Sequence, residues 1–302
     1  LLPSTTTASS ALQPGRSSCR GFSLLELLAA VAILLVVLVV VLEALADYQK
    51  TFRSQQGRAG VQLGLDGALE SLQQEIGQAG YLGYLPRQLL SSVVASPSIQ
   101  TVPLSSTAWL FNGEKILVEP GSNSETVILQ AVGSGTVQAI FTRGHAAGSV
   151  VVPVGVFPQG VLTSSDGNQL RLVGDINGDG SLWLVEYDCD YTRGILQRTA
   201  FAVGQTQPAT VTSLLTGLAP NPDGSPCFRF ASTSYGGYTL VTAVRVILTA
   251  STLSPDQLAG VPSSMTASVV IVPRNIVQAL RLLQPPLSQP DLLQPAPAWP
   301  QP

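Results

Sequence analysis

From Phe22 to Ala46 the chain runs almost wholly apolar for about 25 residues. As a helix rising 1.5 Å per residue, this run is about 37 Å long, enough to cross a hydrocarbon layer of about 30 Å. Residues 1–21 hold no acidic residue, and their charges are Arg16 and Arg20. Positive charge before the span predicts a cytoplasmic N-terminal side and export of the rest. That remainder is rich in Ser, Thr, Gly, Val and Pro, with only 11% charged residues in the whole chain, which suggests an exported β-rich domain. A length of 302 residues suffices for a real hydrophobic core. With a net charge of −3 and scattered basic residues, nucleic-acid binding is not indicated.

Two simpler readings of the apolar run fail on particular residues. A secretory signal peptide ends in a small-residue cleavage site, but no Ala-x-Ala pattern closes this run, and Gly21 stands before it. A plain anchor leaves Glu26 unexplained, because a carboxylate near the start of a span is costly without a partner.

Gly21-Phe22-Ser23-Leu24-Leu25-Glu26, followed by the apolar run, resembles the prepilin motif of type IV pilins and type II secretion pseudopilins. The resemblance implies a leader over residues 1–21, cut after Gly21 by a prepilin peptidase that then methylates the new amine of Phe22. It makes Glu26 the assembly residue, its carboxylate neutralising the terminal ammonium of a neighbouring subunit; removal of either leaves an unpaired charge in lipid. Implied partners are other major and minor pilins, the prepilin peptidase and an inner-membrane assembly platform. The implied location is a single-pass inner-membrane protein before assembly, and the pilus, periplasm or cell surface after it.

Past a membrane half over residues 22–46, the pattern stays helical over 47–80. Leu65, Leu69, Leu72, Ile76 and Ala79 recur at spacings of four and three and make one apolar face, expected to lie on the exported domain. Gly57, Gly60, Gly64 and Gly67 recur on a neighbouring face. Each costs a helix about 1 kcal/mol relative to alanine, so the stripe predicts either close approach of another backbone or a loosened helix, with loosening preferred. Gly80 is a helix stop. Ala79-Gly80-Tyr81-x-Gly83 is similar to PilW-like minor pilins, as are the Tyr187-containing strand with Leu196-Gln197-Arg198 and the closing Val269–Val272 run with Pro273-Arg274-Asn275. The last ending is shared with J-type pseudopilins.

The expected fold class is α+β and pilin-like: a long N-terminal helix with a membrane-spanning first half, packed on an antiparallel β-sheet domain over residues 81–275. Strands are expected at Thr126–Val132, Val137–Phe141, Gln169–Val173, Leu182–Tyr187, Thr239–Ala250 and Ser268–Val272, divided by Gly, Pro, Asn and Asp turns. Residues 85–170 resemble nothing nameable. Residues 276–302 are expected as a flexible tail, since seven prolines from 284 onward oppose helix and central strand.

Asp175, Asn177, Asp179 and Ser181, with Gly180 and Glu186, fit the spacing of an EF-hand calcium loop, so calcium is the one cofactor the pattern suggests. Leu182–Tyr187 reads as a strand, not the exiting helix of an EF-hand, so an Asx-rich hairpin turn is the competing reading. Leader cleavage removes Cys19 and leaves Cys189 and Cys227, expected to pair in an oxidising compartment. His145, the one histidine, lies in a Gly-Ala loop and reads as solvated.

No nucleophile elbow, phosphate loop or histidine cluster is present, so the chain does not read as an enzyme. The expected function is a minor type IV pilin that initiates or caps pilus assembly. The alternatives are a J-type minor pseudopilin of a type II secretion system, and a tip adhesin or DNA-uptake component.

Overall fold

The computed structural model describes residues 23–252, 264–284 and 290–300. The chain forms two compact units, one ending at Arg53 and the other starting at Ser54. Helix α1 (Leu24–Gln78) runs without a break through that boundary. No proline interrupts it, and Leu, Ala, Gln and Glu dominate its sequence, residues that lose little side-chain freedom in a helix.

In the second unit, α1 buries Leu65, Ala68, Leu72 and Ile76, with Ala79 just beyond its end. This is the apolar face expected from spacing, with Leu69 half-buried at its margin. The face packs on a core that includes Leu170, Val185, Tyr187, Leu196, Leu215 and Val244. Fully burying each such side chain contributes about 1.5–3 kcal/mol, so tertiary packing holds this half of the helix.

The glycine stripe behaves differently from expectation. A Cβ on Gly57 would lie 3.3 Å from Thr252 Cγ2, and one on Gly64 would lie 3.2 Å from Leu215 Cδ1, while Gly60 and Gly67 face open space. Side chains, not another backbone, approach two of the four glycines. The helix stays continuous across all of them, because burial on the adjacent face outweighs their weak propensity.

Strands β1 (Arg87–Gln88), β2 (Gln100–Pro103), β3 (Lys115–Val118), β4 (Glu125–Ile128), β5 (Ala131–Val132), β6 (Thr136–Ala139) and β7 (Val150–Pro153) form two small sheets, β1-β7-β3-β4 and β2-β6-β5. Between them lies a separate core that includes Leu89, Val102, Ile116, Val127, Val137 and Phe141. Strands β8 (Gln169–Gly174), β9 (Trp183–Asp190), β10 (Ile195–Ala202) and β11 (Thr210–Thr216) form an antiparallel meander. In the last sheet, β12 (Leu218–Ala219) and β13 (Phe228–Tyr235) flank one edge of β14 (Tyr238–Ser251), and β15 (Ser264–Ile271) lies on the other. The architecture is therefore a long apolar helix with antiparallel sheets. Among the described residues there are four sheets in place of the single one expected.

The end of α1 is closed by residues from distant parts of the chain. Gly80, at φ +85°, donates its N–H to Val173 O at 2.8 Å and accepts from Phe157 N at 3.1 Å. A Cβ on Gly80 would sit 2.8 Å from Phe157 O, and one on Gly160 would sit 2.3 Å from Gly80 N. Gly83 is equally confined: its Cβ would meet Gly180 Cα at 2.3 Å. Asn275 Nδ2 donates to Ala79 O at 3.4 Å and to Gln78 O at 3.5 Å, and Arg274 N donates to Gly77 O at 3.2 Å. The carbonyls that a helix C-terminus leaves unsatisfied are thus capped by the Arg-Asn pair that follows β15.

The C-terminal region corrects the expectation of a flexible tail. Residues Asn275–Leu283 form helix α2, which buries Ile276, Ala279 and Leu282. Further on, Leu293 bridges Val156 in parallel, and Gln294, 1% exposed, exchanges hydrogen bonds with both backbone groups of Lys115 and donates to Val154 O. Trp299 packs edge-on to Phe201 and beneath the Arg171 guanidinium. The prolines do prevent a continuous helix there. An apolar face at 276–282 and a side-chain amide able to replace a strand's hydrogen bonds dock the segment nonetheless.

Candidate functional site

The chemistry expected at the start of α1 depends on an acid among apolar side chains. Ser23 O accepts from Glu26 N at 2.9 Å and from Leu27 N at 3.1 Å, opening the helix, and Glu26 lies in its first turn. Glu26 is exposed and makes no side-chain hydrogen bond or ion pair among the described residues. The helix contains a window of mean hydropathy 3.2, none of it buried, and is long and apolar enough to cross a membrane. Leu24, Leu25, Ile33 and Leu34 are each at least 65% exposed. Within a membrane an ionised carboxylate is costly without a cationic partner. Gly21 and Phe22, the expected processing residues, lie outside the described residues.

At the other end of α1, Glu75 faces the β9–β10 pair. Tyr187 donates its hydroxyl to Glu75 Oε2 at 2.5 Å, and Arg198 Nε donates to both oxygens, at 2.9 and 3.1 Å. Burial first, then the Glu75 charge, pushes the Tyr187 hydroxyl far above the ordinary tyrosine range. Burial acts to lower the Arg198 guanidinium, but its hydrogen bonds and charge pairing with Glu75 outweigh this and raise it. Tyr187 and Arg198 are direct cross-strand neighbours, so strand register alone delivers both to one carboxylate. Tyr187 and Arg198 stand within the motifs named above, whereas Glu75 carries no motif of its own. A charged residue at helical spacing beside an apolar face was the available signal.

The acidic turn departs from a calcium cage. Asp175, 2% exposed, accepts from Asp179 N at 3.1 Å through Oδ1 and from Gly180 N at 2.8 Å through Oδ2. Asp179 Oδ1 in turn accepts from Ser181 N at 2.8 Å. Glu186, the expected closing ligand, lies on β9 and pairs with its cross-strand neighbour Arg171 at 2.6 Å. Asn177 sits at the exposed tip. Asp175, Asn177, Asp179, Ser181 and Glu186 therefore form an Asx-type turn and a separate ion pair. Among the described residues no group of three or more His, Cys, Asp or Glu is placed to hold a metal ion. The physical reason is the strand geometry after Ser181, which carries Glu186 away from the loop where a helix would bring it back.

Cys189 on β9 and Cys227 are joined by a disulfide with a Cα–Cα distance of 6.7 Å, closing a separation of 38 residues. Both are buried in the main core, and Tyr191 Oη lies 3.2 Å from Cys227 Sγ.

His145 corrects a second expectation. It is 3% exposed, because its backbone bridges Val93 and draws the loop inward. Nδ1 lies 2.7 Å from Glu119 Oε2, and Nε2 lies 3.0 Å from Glu125 Oε1. The ring thus stands between two carboxylates, one at each nitrogen, with Asn123 Nδ2 also 3.3 Å from Nδ1. The carboxylate partners are 26 and 20 residues away, a spacing with no local pattern.

A model of the prokaryotic N-terminal methylation motif matches residues 16–42, which include Gly21, Phe22 and Glu26. The match supports a type IV pilin-like protein, in which the motif implies processing by a prepilin peptidase and assembly with other pilins. Neither a curated protein nor a solved structure matches the chain.

Proposed function

We propose that this chain is a minor type IV pilin of the PilW-like kind, a structural subunit and not an enzyme, which initiates or caps pilus assembly after cleavage at Gly21. The observation that carries this reading is Glu26, a carboxylate without a partner among the described residues, in the first turn of an exposed apolar helix and within a matched methylation motif. The ammonium of a processed Phe22 on a neighbouring subunit supplies the missing charge, and the exposed leucine and valine face supplies the packing area.

Further support comes from the globular unit. The residues behind the PilW-like resemblance hold structural positions: Gly80 and Gly83 in close backbone contacts, Tyr187 and Arg198 on Glu75, and Asn275 on the helix end. Because the Arg-Asn ending is shared with J-type pseudopilins, a minor pseudopilin is the second reading. A gene neighbourhood with retraction or secretin partners separates the two.

The test is Glu26→Ala in the producing cell. The expected result is loss of incorporation into filaments with an unchanged disulfide-bonded globular unit. Normal incorporation refutes the proposal, as does a mature protein whose mass shows residues 1–21 still attached beside an active peptidase.

A further inference from the structure

We propose that Tyr48 and Phe52 form an aromatic anchor seated among phospholipid headgroups, at the membrane–water boundary on the exported side. This rests on the membrane-anchored state in the reading above and adds to it a specific lipid-contacting surface.

The apolar run is unbroken to Leu42 and, past Glu43, ends at Ala46, about 33 Å along the helix from Leu24, against a hydrocarbon thickness of about 30 Å. Tyr48 therefore lies about 3 Å past the end of the run, within a headgroup layer about 5–8 Å deep, and Phe52 about 9 Å past it, at the outer edge of that layer. Val41, Leu45, Tyr48 and Phe52 are spaced by four, three and four residues and form one stripe along the helix. All four are exposed: 55%, 50%, 68% and 49%. Their apolar character continues past the span on this stripe while other faces turn polar.

The two rings are parallel to within 15°, with centroids 6.3 Å apart. Tyrosine joins an apolar ring to a hydroxyl, the combination enriched where one end of a side chain meets hydrocarbon and the other meets water. On the same turns, Lys50 Nζ lies 3.5 Å from Asp47 Oδ1 in an exposed pair, and Arg53 follows. Such side chains carry their charge to the phosphate level while their stems cover apolar surface. A stack of this size facing bulk water gains nothing by its exposure. Facing the lipid boundary, it fixes the depth and rotation of the helix. Val41 and Leu45 join it without interruption to the lipid-facing span, so a lipid boundary fits it better than a helix of a second copy.

The test uses the full chain reconstituted at one copy per phosphatidylcholine–phosphatidylglycerol nanodisc, with Tyr48→Trp and Phe52→Trp made separately. The chain has three tryptophans, so the unsubstituted protein gives the emission to subtract. Lipids brominated near the headgroup end of the acyl chain are expected to quench the added emission more strongly than lipids brominated near the chain terminus. The added emission is also expected to be blue-shifted from that of solvated tryptophan. Equal emission in brominated and ordinary lipid, from protein that resists alkaline carbonate extraction, overturns the anchor and leaves the membrane span intact. Stronger quenching by the deep bromine also overturns it. Protein released by carbonate refutes the membrane-anchored state itself. Quenching that appears only when several copies share a disc assigns the stripe to a neighbouring helix and overturns the lipid assignment.

Discussion

Glu75 of the long helix and Arg198 of β10 meet with Oε1 and Nη2 2.8 Å apart, their side chains 15% and 17% exposed. Partial burial leaves these charges little water, and the Tyr187 hydroxyl takes up the remaining demand of the carboxylate. The pair therefore joins helix to sheet with a directional contact, where apolar packing alone would tolerate sliding. Glu75→Ala strands a guanidinium and a phenol. It is expected to cost about 2–3 kcal/mol, with Tyr187→Phe costing about 1 kcal/mol, by denaturant unfolding of the detergent-solubilised chain.

The Cys189–Cys227 bridge closes 38 residues, for which the chain-entropy relation gives about 4 kcal/mol. Replacing both cysteines with serine is expected to lower stability by about that amount. A chain with equal unfolding midpoints under oxidising and reducing conditions contradicts this.

Burial pushes the Glu114 carboxyl up to about 8, against the weaker opposing effects of the Phe111 N–H and of Arg87. An acid whose folded value is raised stays protonated in the folded state while the unfolded chain releases its proton near pH 4.5. Stability from this group is therefore expected to decline as pH rises from about 4.5 toward 8, and to level off above. Glu114→Gln is expected to flatten that slope, which unfolding midpoints across the range read directly.

The acidic limb runs the other way. The Glu119 carboxyl is held below its usual range by hydrogen bonds from His145 and Asn123. That of Glu125 is lowered by the Thr142 side chain and backbone together with His145, which overcome the opposing effect of burial. Their contribution is present above the unfolded value of about 4.5 and disappears as pH falls through the lower folded values. The double substitution Glu119→Gln with Glu125→Gln is expected to flatten the acid limb and to raise amide exchange around residues 119–125 and 141–149.

Calcium addition or chelation is expected to leave the unfolding temperature unchanged, since backbone N–H groups and Arg171 already occupy the oxygens of Asp175 and Glu186. Asp175→Ala, by contrast, removes the acceptor of two part-buried backbone donors and is expected to cost about 1 kcal/mol. A calcium-dependent upward shift in unfolding temperature restores the cage reading.

What could be read from the sequence follows the range of the forces involved. The buried stripe of α1 was visible because helical periodicity is local, and the stop at Gly80 because one backbone angle demands glycine. Strands β8, β9, β14 and β15 showed as apolar runs. Much of β10 and β11 did not, because Gln197, Arg198 and Thr199 on β10 and Thr210–Ser213 on the edge strand β11 give no apolar alternation. In the separate core over residues 89–151, the runs Thr126–Val132 and Val137–Phe141 marked parts of β4, β5 and β6, whereas β1, β2, β3 and β7, of two to four residues, were too short for periodicity to mark. His145 was misread because its burial depends on Glu119 and Glu125, contacts that exist only after folding. Glu26 was legible for the opposite reason: its anomaly lies within the sequence itself.

Asn275 reaches the end of α1 across a gap of 196 residues. A ribosome delivers the helix early, yet its last carbonyls wait for a side chain made near the finish. The helix end can be capped only once residue 275 has reached it. A chain that stops before Asn275 leaves the Gln78 and Ala79 carbonyls without that donor.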